Sequence, residues 1–288
     1  MFHIKQVEDK YRIYELIDEA AESWVKVAPE RGGIIIGFGV HGKELLYLDK
    51  DTFYDETANI RGGIPILFPI CGALGGGTYQ WDGQSYEMKG HGFARNHPWE
   101  VISVDTEGEA SITLRLRSTE VMKEAYPFEF EVIYRYALKG DTLSIHQEYT
   151  NRSEQEMPFY AGLHPYFHTA EKKLSYETDA AQYFDYNDGQ MKTYEGHIDL
   201  NEFVESAMFL GAKTPSISFP LPEAGKQIVM EYGEVFRYIV LWSVAGKEFV
   251  CVEPWMGRKD ELNRKEELQL VAPGQTLRTH VSIRAISH

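Results

Sequence analysis

The residues best suited to chemistry lie in Gly90-His91-Gly92-Phe93-Ala94-Arg95, which sets an imidazole and a guanidinium four positions apart with a glycine on each side of the histidine. Glycine lets a backbone adopt positive φ and approach a ligand closely. Histidine exchanges a proton near neutral pH, and arginine offers a planar fork of donors to oxyanions or hydroxyls. An isolated stretch of this kind is most simply a turn with a buried histidine. Three further segments change that reading: Arg61-Gly62-Gly63-Ile64-Pro65, Leu163-His164-Pro165-Tyr166-Phe167 and Cys251-Val252-Glu253-Pro254-Trp255.

Glu253 follows the apolar run Phe249-Val250-Cys251-Val252, which reads as a buried strand that Pro254 stops. A carboxylate at the end of such a strand, beside an indole, is costly unless it is paired or used. Desolvation raises its pKa and makes it a better base. His164 precedes a proline, which favours extended backbone, and its apolar neighbours imply partial burial. The spacing His164-x-x-x-His168 suits a metal only on a helix. Pro165 and the aromatic run speak against a helix, so no metal and no cofactor are expected. Arg61 and Arg95, taken alone, read as surface or ion-paired arginines in a chain with 44 acidic residues. His97, in a Pro-Trp turn, reads as structural.

The elements that must position these residues read as strands. Ser111 to Leu116, Phe128 to Tyr136 and Leu143 to Tyr149 alternate polar and apolar residues, the mark of half-buried antiparallel strands. Further strands are expected at Gln227 to Tyr232, Tyr238 to Ser243, Glu248 to Val252, Glu267 to Val271 and Leu277 to Ile286. Short helices are expected at Val121 to Ala125 and Asp260 to Glu267. Gly37-Phe38-Gly39-Val40-His41-Gly42 matches a dinucleotide-binding pattern, but a second apolar run follows it where a helix would be required. The better reading is a hairpin, Gly33 to Phe38 turning into Glu44 to Leu48. Many short strands, few helices and no linker predict an all-β sandwich occupying residues 1–288 as one domain.

Composition bounds the rest. Acidic residues outnumber basic ones 44 to 29, a net charge of −15 over 288 residues. That disfavours nucleic acid or an anionic membrane as partner. No segment approaches the ~20 apolar residues that span a bilayer. Two cysteines and no apolar leader at the start predict a cytoplasmic protein. The sequence leaves the oligomeric state open.

The four motifs, in this order, resemble the galactose mutarotase-like (aldose 1-epimerase) superfamily, above all its hexose-6-phosphate mutarotase and LacX-like branches. The likeness runs from about Gly33 to the Ala272-Pro273-Gly274 turn. It implies a large antiparallel two-sheet supersandwich acting on a small-molecule sugar or sugar phosphate. It implies Glu253 as general base, His164 as general acid, and His91, Arg95 and Arg61 as substrate contacts, the arginines being associated with phosphate. The rate profile expected of that pair is bell-shaped, with an acid limb from Glu253 and an alkaline limb from His164. An acid binding the sugar hydroxyls is also implied, and Asp185 and Glu205 both remain open for it. The stretch Gly72 to Gly77 lacks the basic residue that LacX-like chains often carry nearby. The alternative on the same fold is a non-catalytic carbohydrate-binding or sensory protein. Glycoside hydrolysis ranks below both, because it needs two carboxylates flanking one bond.

Overall fold

Alternation in the middle of the chain produces the strands it implies. In the computed structural model, which describes residues 1–287, Ala110–Arg117, Phe130–Lys139 and Thr142–Asn151 pair antiparallel in succession. Ile112, Leu114, Val132, Tyr134 and Ile145 point inward and are buried, while Thr113, Arg115 and Ile133 are half-exposed. Burial of each large apolar side chain stabilises the fold by roughly 1.5–3 kcal/mol. Glu100–Asp105 extends this sheet at one edge, and Thr276–Ser287, Lys226–Tyr232 and Ser216–Leu221 at the other, giving seven strands.

An eight-stranded sheet is built around Tyr238–Trp242 and Phe249–Trp255. Ala207–Leu210, Gln182–Asp185 and Gln190–Thr193 extend it on one side. Gly162–Leu163, Tyr166–His168 and Ile66–Leu67 lie on the other. Phe2–Glu8, Arg12–Asp18, Ser23–Ala28, Ile34–Val40 and Lys43–Glu44 make a five-stranded sheet at the N-terminus. One apolar cluster joins the three sheets, with Phe68 stacked on Tyr149 at 5.6 Å near its centre. The fold is all-β and antiparallel. Lys50–Tyr54, Glu120–Ala125 and Glu261–Arg264 are the three short α-helices among the described residues.

Three local expectations change. The second arm of the first hairpin is only Lys43–Glu44. The Glu44 carboxylate accepts from the N–H groups of Phe38, Leu45 and Leu46, which turns the chain off the sheet. Leu46 and Leu48 then make single bridges to Phe167 and Gly62, so the segment ties the N-terminal sheet to the site-bearing elements. The strand at 249 runs through Pro254 to Trp255. Near a strand end, a proline removes only one ladder donor. The helix near 260 is confined to Glu261–Arg264 because Asp260 and Lys265, on either side, both have positive φ.

Candidate active site

Strand Phe249–Trp255 carries Cys251, Glu253 and Trp255 on one face, because side chains alternate with period two. On one side it pairs with Tyr238–Trp242. On the other, Gly162 pairs with Trp255 and Tyr166 with Cys251. That register sets His164 opposite Glu253. Pro165 interrupts the ladder there, and the His164 N–H donates instead to the Pro65 carbonyl. His164 Nε2 lies 3.4 Å from Glu253 Oε1, and Trp255 Nε1 donates to Glu253 Oε2 at 3.1 Å. Glu253 is 1% exposed and His164 6%. Tyr166 stacks on the His164 ring at 4.6 Å, and Trp242 meets it edge-on at 5.8 Å. Gly162 is required for space: a Cβ there would stand 2.9 Å from the Trp255 ring.

The remaining groups come from loops. His91 and Gly92 both adopt positive φ, and a Cβ on Gly92 would meet the Phe68 carbonyl oxygen at 2.2 Å. The Phe93 and Ala94 N–H groups donate to that same oxygen, which seats the loop. His91 Nδ1 accepts from the Gly72 N–H at 3.1 Å, which assigns the ring proton to Nε2. His91 stands edge-on to His164 and Trp255, at 5.5 and 5.9 Å between ring centres. Arg95 donates to the Gly90 carbonyl, and its Nε is buried without a partner. Neither Arg61 nor Arg95 forms an ion pair among the described residues.

A single turn, Pro29–Gly33, braces both arginine loops. The buried Arg31 donates to the carbonyls of Phe53, Asp55 and Ala58, just ahead of Arg61. Gly32, at φ +82°, presses on Arg95, where a Cβ would stand 2.2 Å from the carbonyl oxygen.

These groups line a cleft of about 330 Å³. Arg61, His91, Arg95, His164, Glu253 and Glu205 all face it. Asp185 does not. Its buried carboxylate caps its own turn, accepting from the Asn187 backbone and side chain and pairing with Lys192. An aspartate two residues before such a turn satisfies local donors first. Glu205 is exposed at the rim and lies 3.6 Å from Lys259. Lys259 and Trp242 also line the cleft, and sequence reasoning missed both. Lys259 lies just beyond the Glu253 strand, with Nζ 4.1 Å from the centre of the Tyr186 ring. Its signal was Gly257-Arg258-Lys259 following Trp255. His168 is on a strand, 3.6 Å from Glu248 and outside the cleft lining. One group of metal-type donors does converge among the described residues: His164, Cys251 and Glu253, within 4.8 Å of one another.

The aldose 1-epimerase family model matches residues 16–284. The chain belongs to the aldose 1-epimerase family. LacX of Lactococcus lactis is 25% identical over 238 residues, which cover 73% of this chain and 78% of LacX. An Escherichia coli protein named "Putative glucose-6-phosphate 1-epimerase" is 30% identical over 133 residues, covering 45% of this chain and 40% of that one. Among solved structures, Slr1438 from Synechocystis sp. PCC 6803 superposes with a TM-score of 0.93 at 36% identity, covering all of both chains. The family activity is that of an isomerase acting on sugars. No described helix is long and apolar enough to cross a membrane.

In this epimerase the cleft's electrostatics favour a single shared proton. Burial pushes the Glu253 carboxyl well above the usual carboxylate range, and the Trp255 hydrogen bond and the charges of Lys259 and Arg95 offset only part of that. Burial, with His91 and Arg95, pushes His164 well below the usual histidine range. His91 falls to about 3 through burial and the fields of Arg95 and Lys259, so it is a neutral donor at working pH. Glu253 and His164 face each other, so they titrate as one pair. By the directions of these shifts, the pair gains its second proton at His164 on the acid side and loses its last from Glu253 on the alkaline side.

Proposed function

We propose that the protein is a mutarotase that interconverts the α and β anomers of an aldohexose, with a hexose 6-phosphate as its preferred substrate. The observation that carries this reading is the His164–Glu253 pair, set opposite one another by sheet register at the floor of a cleft edged by two unpaired arginines.

Ring opening needs one proton removed from the C1 hydroxyl and one delivered to the ring oxygen. Glu253, as carboxylate, takes the first. His164, as imidazolium, gives the second. The products are the open-chain aldehyde, a neutral Glu253 carboxyl and a neutral His164. Burial favours this neutral pair. Rotation about C1–C2 presents the other carbonyl face, and the neutral pair reverses both transfers to close the ring. No net proton is exchanged with water. Positioned acid–base groups of this kind contribute typically ~10²–10⁴-fold.

His91 has a different task. Its Nδ1 already accepts from Gly72, so it offers Nε2–H to a sugar oxygen and does not relay the proton. Arg61 and Arg95, with Lys259 also lining the cleft, supply positive charge for a phosphate without a competing carboxylate on either arginine. The named Escherichia coli relative accords with a phosphorylated sugar.

Saturation-transfer NMR between the two anomeric protons tests the reading, with glucose 6-phosphate, glucose and galactose compared. Accelerated exchange of the phosphate sugar alone is the expected result. Exchange of the free sugars would transfer the assignment to an unphosphorylated aldose. Saturable binding without exchange would leave a binding protein.

A further inference from the structure

Cys251 is the one donor in the His164–Cys251–Glu253 cluster to which the proposed chemistry gives no task. It lies two residues before Glu253 on the same face of the same strand, opposite Tyr166, and is fully buried. Its sulfur, one His164 ring nitrogen and one Glu253 oxygen lie within 4.8 Å of one another. Two ligand atoms on a tetrahedral zinc ion, at bond lengths of 2.0–2.1 Å, stand about 3.3 Å apart. His164 Nε2 and Glu253 Oε1 are 3.4 Å apart. A sulfur at its longer zinc bond stands about 3.6 Å from a nitrogen or oxygen ligand, so from separations of up to 4.8 Å the donors need to close by about 1.2 Å at most. His164 Nδ1 is a buried polar atom with no hydrogen-bond partner. Cys251 and Glu253 sit on one strand, which holds ligands more rigidly than a loop does, and His164 lies in the two-residue break between the short strands Gly162–Leu163 and Tyr166–His168 that pair with it.

We infer that this cluster is a binding site for a thiophilic divalent metal ion of the zinc or cadmium class, and that its occupancy switches the epimerase off. Thiolate and imidazole select such ions over magnesium or calcium. The Cys251 proton is released to solvent as the sulfur–metal bond forms, and the fourth coordination position is left to water on the cleft side. Arg95 and Lys259 oppose any bare cation, so hard ions that gain little from sulfur are excluded. The metal occupies the lone pairs that Glu253 and His164 need for proton transfer. Inhibition therefore rests on the proposed function, whereas metal binding does not.

Cobalt(II) is the spectroscopic probe and zinc the inhibitor. Wild-type protein titrated with cobalt should develop a sulfur-to-cobalt charge-transfer band and intense tetrahedral visible bands at one ion per chain. Cys251→Ala should lose the sulfur band, keep its metal-free turnover, and show a zinc inhibition constant raised more than about tenfold, since even outer-shell losses cost 10–100-fold in affinity. Cys251→Ser gives the same comparison if the alanine variant does not fold, and Cys71→Ala should retain the band. No sulfur band in wild type, the same band in Cys251→Ala, or equal zinc inhibition of both would overturn the site. A Cys251-dependent band in a wild-type protein that exchanges no anomers would uphold the metal site and refute the mutarotase.

Discussion

Glu253→Gln separates chemistry from architecture in one substitution. Glutamine has nearly the same volume, its amide oxygen still accepts from Trp255 Nε1, and its amide nitrogen faces His164 at the former 3.4 Å contact. The amide cannot take the C1 hydroxyl proton, so the variant should lose the base contribution of ~10²–10⁴-fold. At 1.36 kcal/mol per decade, that is about 2.7–5.4 kcal/mol of barrier. Stability should move the other way. The folded-state pKa of Glu253 is raised, so the folded protein binds more protons than the unfolded chain above the ordinary carboxylate pKa of about 4.3. Its contribution to stability is complete below that pH and is lost as pH rises through the folded pKa. A neutral amide removes this loss. The variant should be at least as stable as wild type at pH 8, with the gap closing toward pH 4. Saturation-transfer NMR measures the rate, and urea unfolding at several pH values measures the stability. Turnover within tenfold of wild type, or a variant that is less stable than wild type at pH 8, would refute the argument.

Other outcomes follow from the same geometry. The rate profile should be bell-shaped, and His164→Asn should remove its alkaline limb from whatever activity remains, because Glu253 alone then needs only to be ionised, as followed by anomer exchange between pH 4 and 10. His91 and His164 have lowered folded pKa values, so the stability they contribute is present above about pH 6.5 and lost as pH falls; His91→Gln should flatten that slope in acid unfolding. Arg95→Ala should raise KM for glucose 6-phosphate about tenfold or more and leave free glucose little changed, because a charged hydrogen bond is worth roughly 1.5–3 kcal/mol. Arg31→Met should raise KM for the phosphate sugar with kcat within about twofold, and lower stability by about 3 kcal/mol through the orphaned carbonyls of Phe53, Asp55 and Ala58; steady-state kinetics and thermal unfolding check both.

What was legible in the sequence was what is local. Period-two alternation marked the strands from Ala110 to Asn151, and a carboxylate closing an apolar run marked Glu253. The contact between Glu253 and His164 was not readable from spacing, because it depends on register between segments far apart in the chain. The family resemblance supplied that pairing. Lys259 escaped notice because a lysine after a strand is usually solvated, and only folding sets it over Tyr186 at the cleft. Asp185 misled because strand patterning does not show that a carboxylate caps its own turn. Pro254 misled for a similar reason, since a proline's cost in a sheet depends on whether a neighbouring carbonyl wanted its missing proton.

The split between a strand-borne carboxylate and loop-borne cations bears on how such a protein tolerates changes of length. Cys251, Glu253 and Trp255 ride one strand, so inserting or deleting a single residue there would turn all three to the opposite face. Arg61, Arg95 and Lys259 lie outside strands and are free of that constraint. A change of length in a turn at the rim therefore alters the cleft's charge without moving Glu253, whereas the strand that carries Glu253 tolerates no such change.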